Sequence, residues 1–246
     1  MILILGSHHD DVLYCSSLLS QAKKETVLGR FPAQKGMIFN QEVMTVSGIY
    51  TSLLASMVVS HILSTQYVNL VFVLGKCFSL NNSFKQGTIV VAREIMDIDV
   101  DQIDVANTKV GQVPGMPEAY KVQSDLIGYL TDGFHRRTLA NPEFATMLSS
   151  DNLYSPAVAK AIENRSYLGS TGPFVVDSCS YGATLACSLL DVPCMVIKAV
   201  ERDLSQDKSI DGYLTALDSY VDIGKAVVYT IGDIGRSDVL RLRRTI

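Results

Sequence analysis

The sequence has no excess of positive charge and no apolar segment of membrane-spanning length. Its 246 residues include 21 Lys and Arg against 25 Asp and Glu, which leaves a net charge of −4 at neutral pH. Nucleic acids and acidic membranes attract basic surfaces, so the charge argues against either as a partner. A helix needs roughly 20 apolar residues to cross a bilayer, and the apolar runs VNLVFVLG and PCMVIKAV are far shorter. The composition therefore predicts a soluble protein whose partner is a small molecule or another protein.

The cysteines form no disulfide framework that the sequence can show. They are odd in number, they lie in apolar runs, and no two have the CxxC spacing. Small secreted domains that depend on disulfides carry an even number of cysteines at dense spacing. We therefore expect reduced thiols and a cytoplasmic location. The five residues are Cys15, Cys77, Cys179, Cys187 and Cys194.

Internal repeats, low-complexity tracts and convincing linkers are also absent, so we predict a single domain over residues 1–246. Short runs rich in Val, Ile and Leu recur along the chain and suit strands that are buried on both faces of a parallel or mixed sheet. Helix-length segments separate them, which predicts an α/β fold, a three-layer α/β/α sandwich around a central mixed sheet. The predicted strands are 1–5, 42–47, 68–74, 88–92, 174–177 and 193–199, and the clearest predicted helices are 51–65 and 180–190.

Two segments interrupt this alternation. Residues 99–122 contain GQVPGMP, whose Pro and Gly residues oppose a helix and predict an ordered loop. A loop of that length inside a compact domain usually has a functional or interfacial role. The basic segment 237–246 predicts either a short added helix or a frayed end.

Several motifs, in their order along the chain, resemble the purine nucleoside phosphorylase and nucleosidase superfamily, and most closely its bacterial methylthioadenosine/S-adenosylhomocysteine nucleosidases. The resemblance extends over roughly residues 1–230 and implies a nucleoside phosphorylase-like fold, no cofactor and a homodimer with the 99–122 loop near the interface. GQVPGMP favours the hydrolase branch over the phosphorylases. The motifs are ILILGSHHDDV, SGI at 47–49, FKQGTIVV, GQVPGMP and VPCMVIKAV.

The resemblance also implies a chemistry, hydrolysis of an N-ribosyl bond through a cationic, oxocarbenium-like ribose. One carboxylate activates water, an acid protonates N7 of the purine, and another carboxylate holds the ribose hydroxyls. The water-activating position matches Asp11, where a Glu is usual. Asp is able to perform this chemistry but is one methylene shorter.

The other two positions depart from the family pattern. The ribose-binding segment, which reads roughly VEMEA in the family, reads VDSCS at 176–180, so that Cys179 replaces the ribose-binding Glu. A thiol forms weaker hydrogen bonds than a carboxylate does. In the acid segment an ungapped match selects Arg202, which is unable to donate a proton at neutral pH. A shift by one residue selects Asp203 instead, and we predict Asp11 and Asp203 as the catalytic pair.

The predicted substrate-binding residues include the SGI turn and a second altered turn at 74–79. In the 74–79 turn, bulkier residues replace the small residues of the family. Lys76 either binds an anion or fills the pocket, and Phe78 either occludes the pocket or changes the substrate that fits it. The full set of predicted substrate-binding residues is Ser47, Gly48, Ile49, Lys76, Asp177, Ser178, Cys179 and Lys198.

These residues leave three functions open. The first is an N-glycosidase acting on methylthioadenosine, S-adenosylhomocysteine or a related nucleoside. The second is a non-catalytic relative that binds a nucleoside or serves as an interaction or storage protein, which the replaced carboxylates favour. The third is a phosphorylase, for which Lys76, Arg93 and Lys198 are the candidate phosphate-binding cations.

The first motif also resembles the opening of zinc-dependent de-N-acetylases, whose strand ends in AHPDD. By that resemblance His8 and Asp11 are zinc ligands and Asp10 is the base. A further ligand does not emerge, because His61 and His135 lie in no metal-binding repeat and the similarity stops near residue 20. We therefore predict no metal site.

Overall fold

The computed structural model describes most of the chain. The described residues are 1–80, 82–100, 102, 104, 107–109, 111–152, 172–204 and 211–234, with side chains from residue 218 in the last range. The predicted helix or frayed end at 237–246 lies outside these residues. Among them, no helix is both long and apolar enough to cross a bilayer.

Ten strands and five helices are assigned within the described residues. The strands are β1 (Ile2–Gly6), β2 (Ser20–Val27), β3 (Phe31–Ile38), β4 (Gln41–Val46), β5 (Leu70–Ser79), β6 (Ile89–Asp97), β7 (Tyr120–Lys121), β8 (Glu143–Ser149), β9 (Phe174–Asp177) and β10 (Cys194–Asp203). The helices are α1 (His9–Ser17), α2 (Ser52–Thr65), α3 (Ser124–Arg137), α4 (Ser180–Leu189) and α5 (Asp211–Ile234).

All ten strands belong to one mixed sheet. Its order is β10-β6-β8-β9-β5-β1-β4-β3-β2, and β7 is added beside β6. Strand β1 runs parallel to both β4 and β5, whereas β2, β3 and β4 form an antiparallel extension. Because β10 pairs with both β5 and β6, the strands β5, β10, β6, β8 and β9 close into a ring. The sheet is therefore open on one side and closed on the other.

Strand β1 shows why the sheet is covered on both faces. Leu3 and Leu5 project into a core with α2 and α4, whereas Ile2 and Ile4 project into a second core with α1, α3 and α5. Successive side chains of a strand point to opposite faces, so a run of apolar residues without alternation requires two apolar layers. The predicted three-layer α/β/α sandwich around a central mixed sheet is confirmed.

The helices over the first face fit closely. Thr51 caps α2 by accepting a hydrogen bond from the Leu54 amide at 3.2 Å. Gly182 of α4 lies so near α2 that a Cβ atom there would come within 1.8 Å of the Ser52 carbonyl oxygen. Only glycine permits this approach, which brings the first turn of α4 beside the start of α2.

The six predicted strands correspond to β1, β4, β5, β6, β9 and β10, and the two predicted helices correspond to α2 and α4. The hairpin of β2 and β3 was not predicted, because β2 is almost entirely exposed and has no apolar run. GQVPGMP forms turns, as predicted, with a hydrogen bond from the Met116 amide to the Val113 carbonyl.

Candidate active site

A cavity of about 340 Å³ opens where β1, β4 and β9 end and where β5 passes beside them. Loops at the carboxyl ends of strands usually form the binding sites of α/β sheets, and this volume is at the lower end of the range for small-molecule sites. The cavity is lined by Ser7, His8, Tyr50, Thr51, Lys76, Phe78, Asp151, Asp177 and Ser178. It therefore brings together Lys76, Asp177 and Ser178 from the predicted set of substrate-binding residues.

Asp177 is the cavity carboxylate with the most hydrogen-bond donors around it. Its Oδ1 accepts from the Ser149 hydroxyl at 2.6 Å, and its Oδ2 accepts from the hydroxyl of Ser180. The Ser180 amide, at the start of α4, lies 3.2 Å from both oxygens. A helix start and two hydroxyls favour a negative charge, so the surroundings of Asp177 stabilise its ionised form.

Lys198 completes this arrangement from β10. Its side chain is fully buried, and its Nζ lies 3.0 Å from Oδ2 of Asp177. Burial alone would raise the pKa of Asp177, but the Lys198 ammonium and the two serine hydroxyls hold that pKa below its usual range. Burial alone would lower the pKa of Lys198, but the Asp177 carboxylate raises it above its usual range. The pair is therefore ionised at neutral pH.

Cys179 lies within this cluster and not in the cavity wall. Lys198 Nζ donates to its sulfur at 3.3 Å, and the thiol in turn donates to Oδ2 of Asp177 at 3.5 Å. Burial raises the pKa of Cys179 to about 12. The residue at the predicted ribose-binding position is therefore a neutral thiol whose contacts are within the protein.

Asp11 occupies a second buried position, close to the first. Its Oδ2 accepts from the His8 amide at 2.7 Å. Gly75, with φ +130°, passes so near that a Cβ atom there would lie 2.7 Å from the same oxygen. Burial raises the pKa of Asp11, partly offset by the His8 amide and by Lys198. Asp11 does not line the cavity itself, but it contacts the backbone of residues that do.

One wall of the cavity carries an ion pair and a cation–π contact. Lys76 Nζ lies 2.9 Å from the Glu201 carboxylate, and both side chains are mostly buried. Phe78 is buried, and the guanidinium of Arg202 lies 5.4 Å from the centre of its ring. Phe78 is therefore part of the cavity wall and does not fill the cavity.

The predicted acid, Asp203, is buried at the end of β10. Its Oδ2 accepts from the Asn82 amide at 2.6 Å, and it is not among the residues that line the cavity. The pairing of β10 with β5 skips Glu201, which is the extra residue of a bulge. Such a bulge leaves one residue of β10 without a partner on β5. The catalytic role of Asp203 stays a prediction.

The SGI turn lies elsewhere. Ser47 borders a different cavity of about 300 Å³, between α1 and the β2–β3 hairpin. The Ile49 amide donates to the Gly6 carbonyl at 3.3 Å, and the Ile49 side chain is buried in the core. Gly48, with φ +90°, makes the turn between them. The structure does not bring these three residues into the cavity that contains Asp177, and their substrate-binding role stays a prediction.

The candidate phosphate-binding cations do not converge. Lys198 pairs with Asp177, and Lys76 pairs with Glu201. The guanidinium of Arg93 is stacked over the ring of Phe144. Within the described residues, no group of three or more His, Cys, Asp and Glu side chains is close enough to hold a metal ion. The ring of His8, a proposed zinc ligand, contacts the ring of Tyr50.

Sequence reasoning missed several residues of this site. Ser149, Asp151 and Tyr50 belong to no motif, and Ser180 appears only as the last residue of the VDSCS segment. Ser149 is the last residue of β8, and Ser180 is the first residue of α4, where a hydroxyl is common for reasons of capping alone. Only their contact with Asp177 gives them a role.

Comparison with known proteins adds a family match and close structural similarity. The phosphorylase superfamily model matches residues 1–219. A 5'-methylthioadenosine/S-adenosylhomocysteine nucleosidase from Bacillus cereus (strain G9842) is 24% identical over 217 residues, which cover 85% of this chain and 91% of the relative.

Two solved structures have the same fold. The 5'-methylthioadenosine/S-adenosylhomocysteine nucleosidase from Neisseria meningitidis, in complex with methylthio-immucillin-A, aligns with a TM-score of 0.83 and 19% identity over 94% of this chain and 98% of its own. Futalosine hydrolase of Helicobacter pylori strain 26695 aligns with a TM-score of 0.82 and 15% identity over 94% and 97% of the two chains.

Proposed function

The chain belongs to the phosphorylase superfamily, and we propose that it hydrolyses the N-ribosyl bond of a purine nucleoside. Methylthioadenosine and S-adenosylhomocysteine are the first candidates, because curated relatives that match 85% of the chain are nucleosidases of these two compounds. Hydrolysis is preferred to phosphorolysis, because Lys76, Arg93 and Lys198 are each engaged in separate contacts.

The observation that carries the proposal is the ionised Asp177 at a cavity of about 340 Å³. When an N-ribosyl bond breaks, positive charge develops on the ribose, as in other glycosyl transfers. A fixed carboxylate in a cavity with little water stabilises such charge more than the same group in bulk solvent. Asp177 is able to take this role because Lys198 and the serines keep it ionised.

Asp11 is the proposed base. Burial raises the pKa of its carboxyl group, and a base is more effective as its pKa approaches the working pH. It reaches the substrate through a water molecule held near Ser7 and His8, which line the cavity and whose backbone contacts Asp11. Asp203 remains the proposed acid for the leaving base.

The test measures release of free base from methylthioadenosine, S-adenosylhomocysteine, adenosine and inosine, each with and without phosphate. We expect release that does not depend on phosphate, and loss of this release in Asp177→Asn and Asp11→Asn. The matched control is Asp191→Asn, which changes an exposed aspartate at the opposite end of α4.

The alternatives predict other results in the same assay. Release only with phosphate would identify a phosphorylase. Saturable binding of a nucleoside without release of base would identify the non-catalytic binding protein. If the protein neither binds nor cleaves any of the four compounds, the proposal itself is wrong.

The proposal includes a homodimer. Leu53 and Met57 lie one turn apart on α2 and are 66% and 52% exposed, and Tyr50, just before that helix, is 51% exposed. An exposed apolar strip of this kind is typical of subunit interfaces. Because Tyr50 and Thr51 also line the cavity, a second subunit at this face covers the cavity mouth. All ten strands share one sheet, which supports a single domain for each subunit.

The oligomeric state is measured by light scattering after size-exclusion chromatography. We expect a dimer for the unchanged chain and a monomer for Leu53→Asp combined with Met57→Asp. Leu28→Asp, in the turn between β2 and β3, is the control, because Leu28 is also exposed but lies away from α2. A monomeric unchanged chain would exclude the homodimer and leave the nucleosidase activity to be judged by base release.

A further inference from the structure

Two of the five thiols face a common cavity that is separate from the candidate active site. Cys187, in the last turns of α4, and Cys194, the first residue of β10, both line a cavity of about 340 Å³. The floor of this cavity also includes Tyr120 and Thr184. The remaining cysteines are buried within the cores or within the Asp177 cluster. Cys187 and Cys194 are therefore the two cysteines that line one cavity together.

A tight turn holds the two thiols against each other. The amides of Leu190 and Val192 both donate to the Cys187 carbonyl, at 3.3 and 2.9 Å, and Asp191 has φ +53°. This reversal returns the chain directly from α4 into β10. Cys187 and Cys194 both line this cavity, and the Thr184 hydroxyl lies 3.7 Å from the Cys194 sulfur.

The two thiols differ in accessibility. Cys187 is 1% exposed, whereas Cys194 is partly exposed at the cavity. The hydrogen bond to Cys194, together with burial, raises the pKa of Cys187 well above its usual range. Thiolates, and not thiols, attack disulfides. A reagent in the cavity therefore meets Cys194 first, while Cys187 keeps its proton until a neighbouring sulfur has reacted.

We propose that Cys187 and Cys194 are a modification site that forms a reversible disulfide by exchange with small-molecule disulfides. The Cys194 thiolate attacks one sulfur of the reagent, a mixed disulfide forms, and the first small thiol leaves with the proton that Cys194 lost. Cys187, deprotonated by solvent, then attacks the Cys194 sulfur, and the second small thiol leaves and takes up that proton. One disulfide is reduced to two thiols while two protein thiols are oxidised to one disulfide.

The bond would link α4 to β10 at the end opposite the Asp177 cluster. Those two elements supply Ser180 and Lys198 to that cluster. The site is independent of the proposed nucleosidase activity, because it consists of two thiols that line a different cavity. Its test therefore measures sulfur chemistry and not release of base.

The probe is oxidised glutathione, with reduced glutathione as the control treatment. After treatment and denaturation in acid, we expect the titratable thiols to fall from five to three. The intact mass should be lower by two hydrogens, and peptide mapping should join the peptides that contain Cys187 and Cys194. Dithiothreitol should restore all five thiols.

Two variants separate the steps. Cys187→Ser should trap glutathione on Cys194, because no second thiol completes the exchange. Cys194→Ser should take up neither glutathione nor a disulfide at Cys187. Five free thiols after treatment of the unchanged chain would overturn the proposal, as would glutathione retained on Cys194 beside a free Cys187. A fold check by circular dichroism on both variants ensures that unfolding does not expose other thiols.

Discussion

Asp11 and Asp177 are equally buried aspartates with opposite electrostatic behaviour. Each is 4% exposed; Asp177 is the last residue of β9, and Asp11 lies in the first turn of α1, which follows β1. Burial raises the pKa of Asp11, while the Lys198 ammonium and the serine hydroxyls lower the pKa of Asp177. Their neighbours, and not their burial, therefore decide which carboxylate is held as a fixed charge.

The difference suits different chemical roles. Asp177 is held as an ion and has little tendency to accept a proton, which is appropriate to a group that stabilises positive charge. Asp11 depends on backbone amides and forms no ion pair with any residue that the structure describes, so it accepts a proton more readily. This contrast is the physical basis for assigning the two aspartates to charge stabilisation and base catalysis.

The largest expected effect is on Lys198. Lys198→Met introduces an apolar side chain of similar length, which leaves Asp177 buried without its counter-ion. Removal of one partner from a buried pair costs about 3–5 kcal/mol of folding free energy. Urea unfolding should show this loss. The partly exposed pair of Lys225 and Asp222 is the matched control, because Lys225→Met should cost less than about 1 kcal/mol.

The two variants test whether the Asp177 cluster is a buried ion pair. An equal, small loss in Lys198→Met and Lys225→Met would mean that Asp177 has no need of Lys198. The proposed contrast between the two aspartates would then be wrong.

The next largest effect is on turnover. Asp177→Asn removes the negative charge at the cavity but keeps a side chain of the same shape, so developing positive charge on the ribose loses its partner. Loss of one such electrostatic contact lowers kcat by roughly 100-fold. Steady-state kinetics should show a larger fall in kcat than rise in KM. A change in KM alone would make Asp177 a binding group and not one that stabilises the transition state.

A smaller effect is expected in the pH dependence of stability. The folded pKa of Asp11 is raised above its ordinary value of 3.8. Between pH 3.8 and the raised pKa, the folded state therefore binds more protons than the unfolded state. Asp11 therefore lowers stability progressively through that window, by about 1.4 kcal/mol for each unit of pKa difference. Asp177, with a lowered pKa, contributes stability above 3.8 that is lost as pH falls through its folded pKa.

Urea unfolding from about pH 2 to about pH 7 covers both windows and measures this difference. The unchanged protein should lose stability through Asp11 as pH rises, and Asp11→Asn should not show this loss. The unchanged protein should also lose stability through Asp177 as pH falls, and Asp177→Asn should not show that loss. Slopes of the same sign in the two variants would contradict the opposite pKa shifts.

The smallest expected effect is on the wall of the cavity. Lys76 and Glu201 are partly solvated, with 24% and 20% of their side-chain surfaces exposed, so Lys76→Met should cost about 0.5–1 kcal/mol of stability. Calorimetry with methylthioadenosine and with inosine then measures whether the two affinities change equally. A loss of stability as large as that of Lys198→Met would show that this pair, too, is fully desolvated.

Much of the fold was predictable because apolar periodicity is local. The runs that became β1, β4, β5, β6, β9 and β10 are continuous in sequence, and burial on both faces follows directly from their composition. The β2–β3 hairpin was missed because the exposed surface of β2 carries lysines and a glutamate where a strand pattern would show apolar residues. The site was only partly predictable, since Lys76, Asp177 and Ser178 line the cavity but Asp11, Cys179 and Lys198 lie behind its surface.

The sequence by itself determined the α/β class, the strand positions and the replacement of an expected carboxylate by Cys179, since each depends on residues that are close along the chain. The tertiary structure alone decided that Lys198 neutralises Asp177, that Gly75 admits the Asp11 carboxylate, and that Cys187 meets Cys194. Charge and pKa depend on distances in space, and strand pairing and a helix-to-strand reversal set those distances between residues that local patterns leave unconnected.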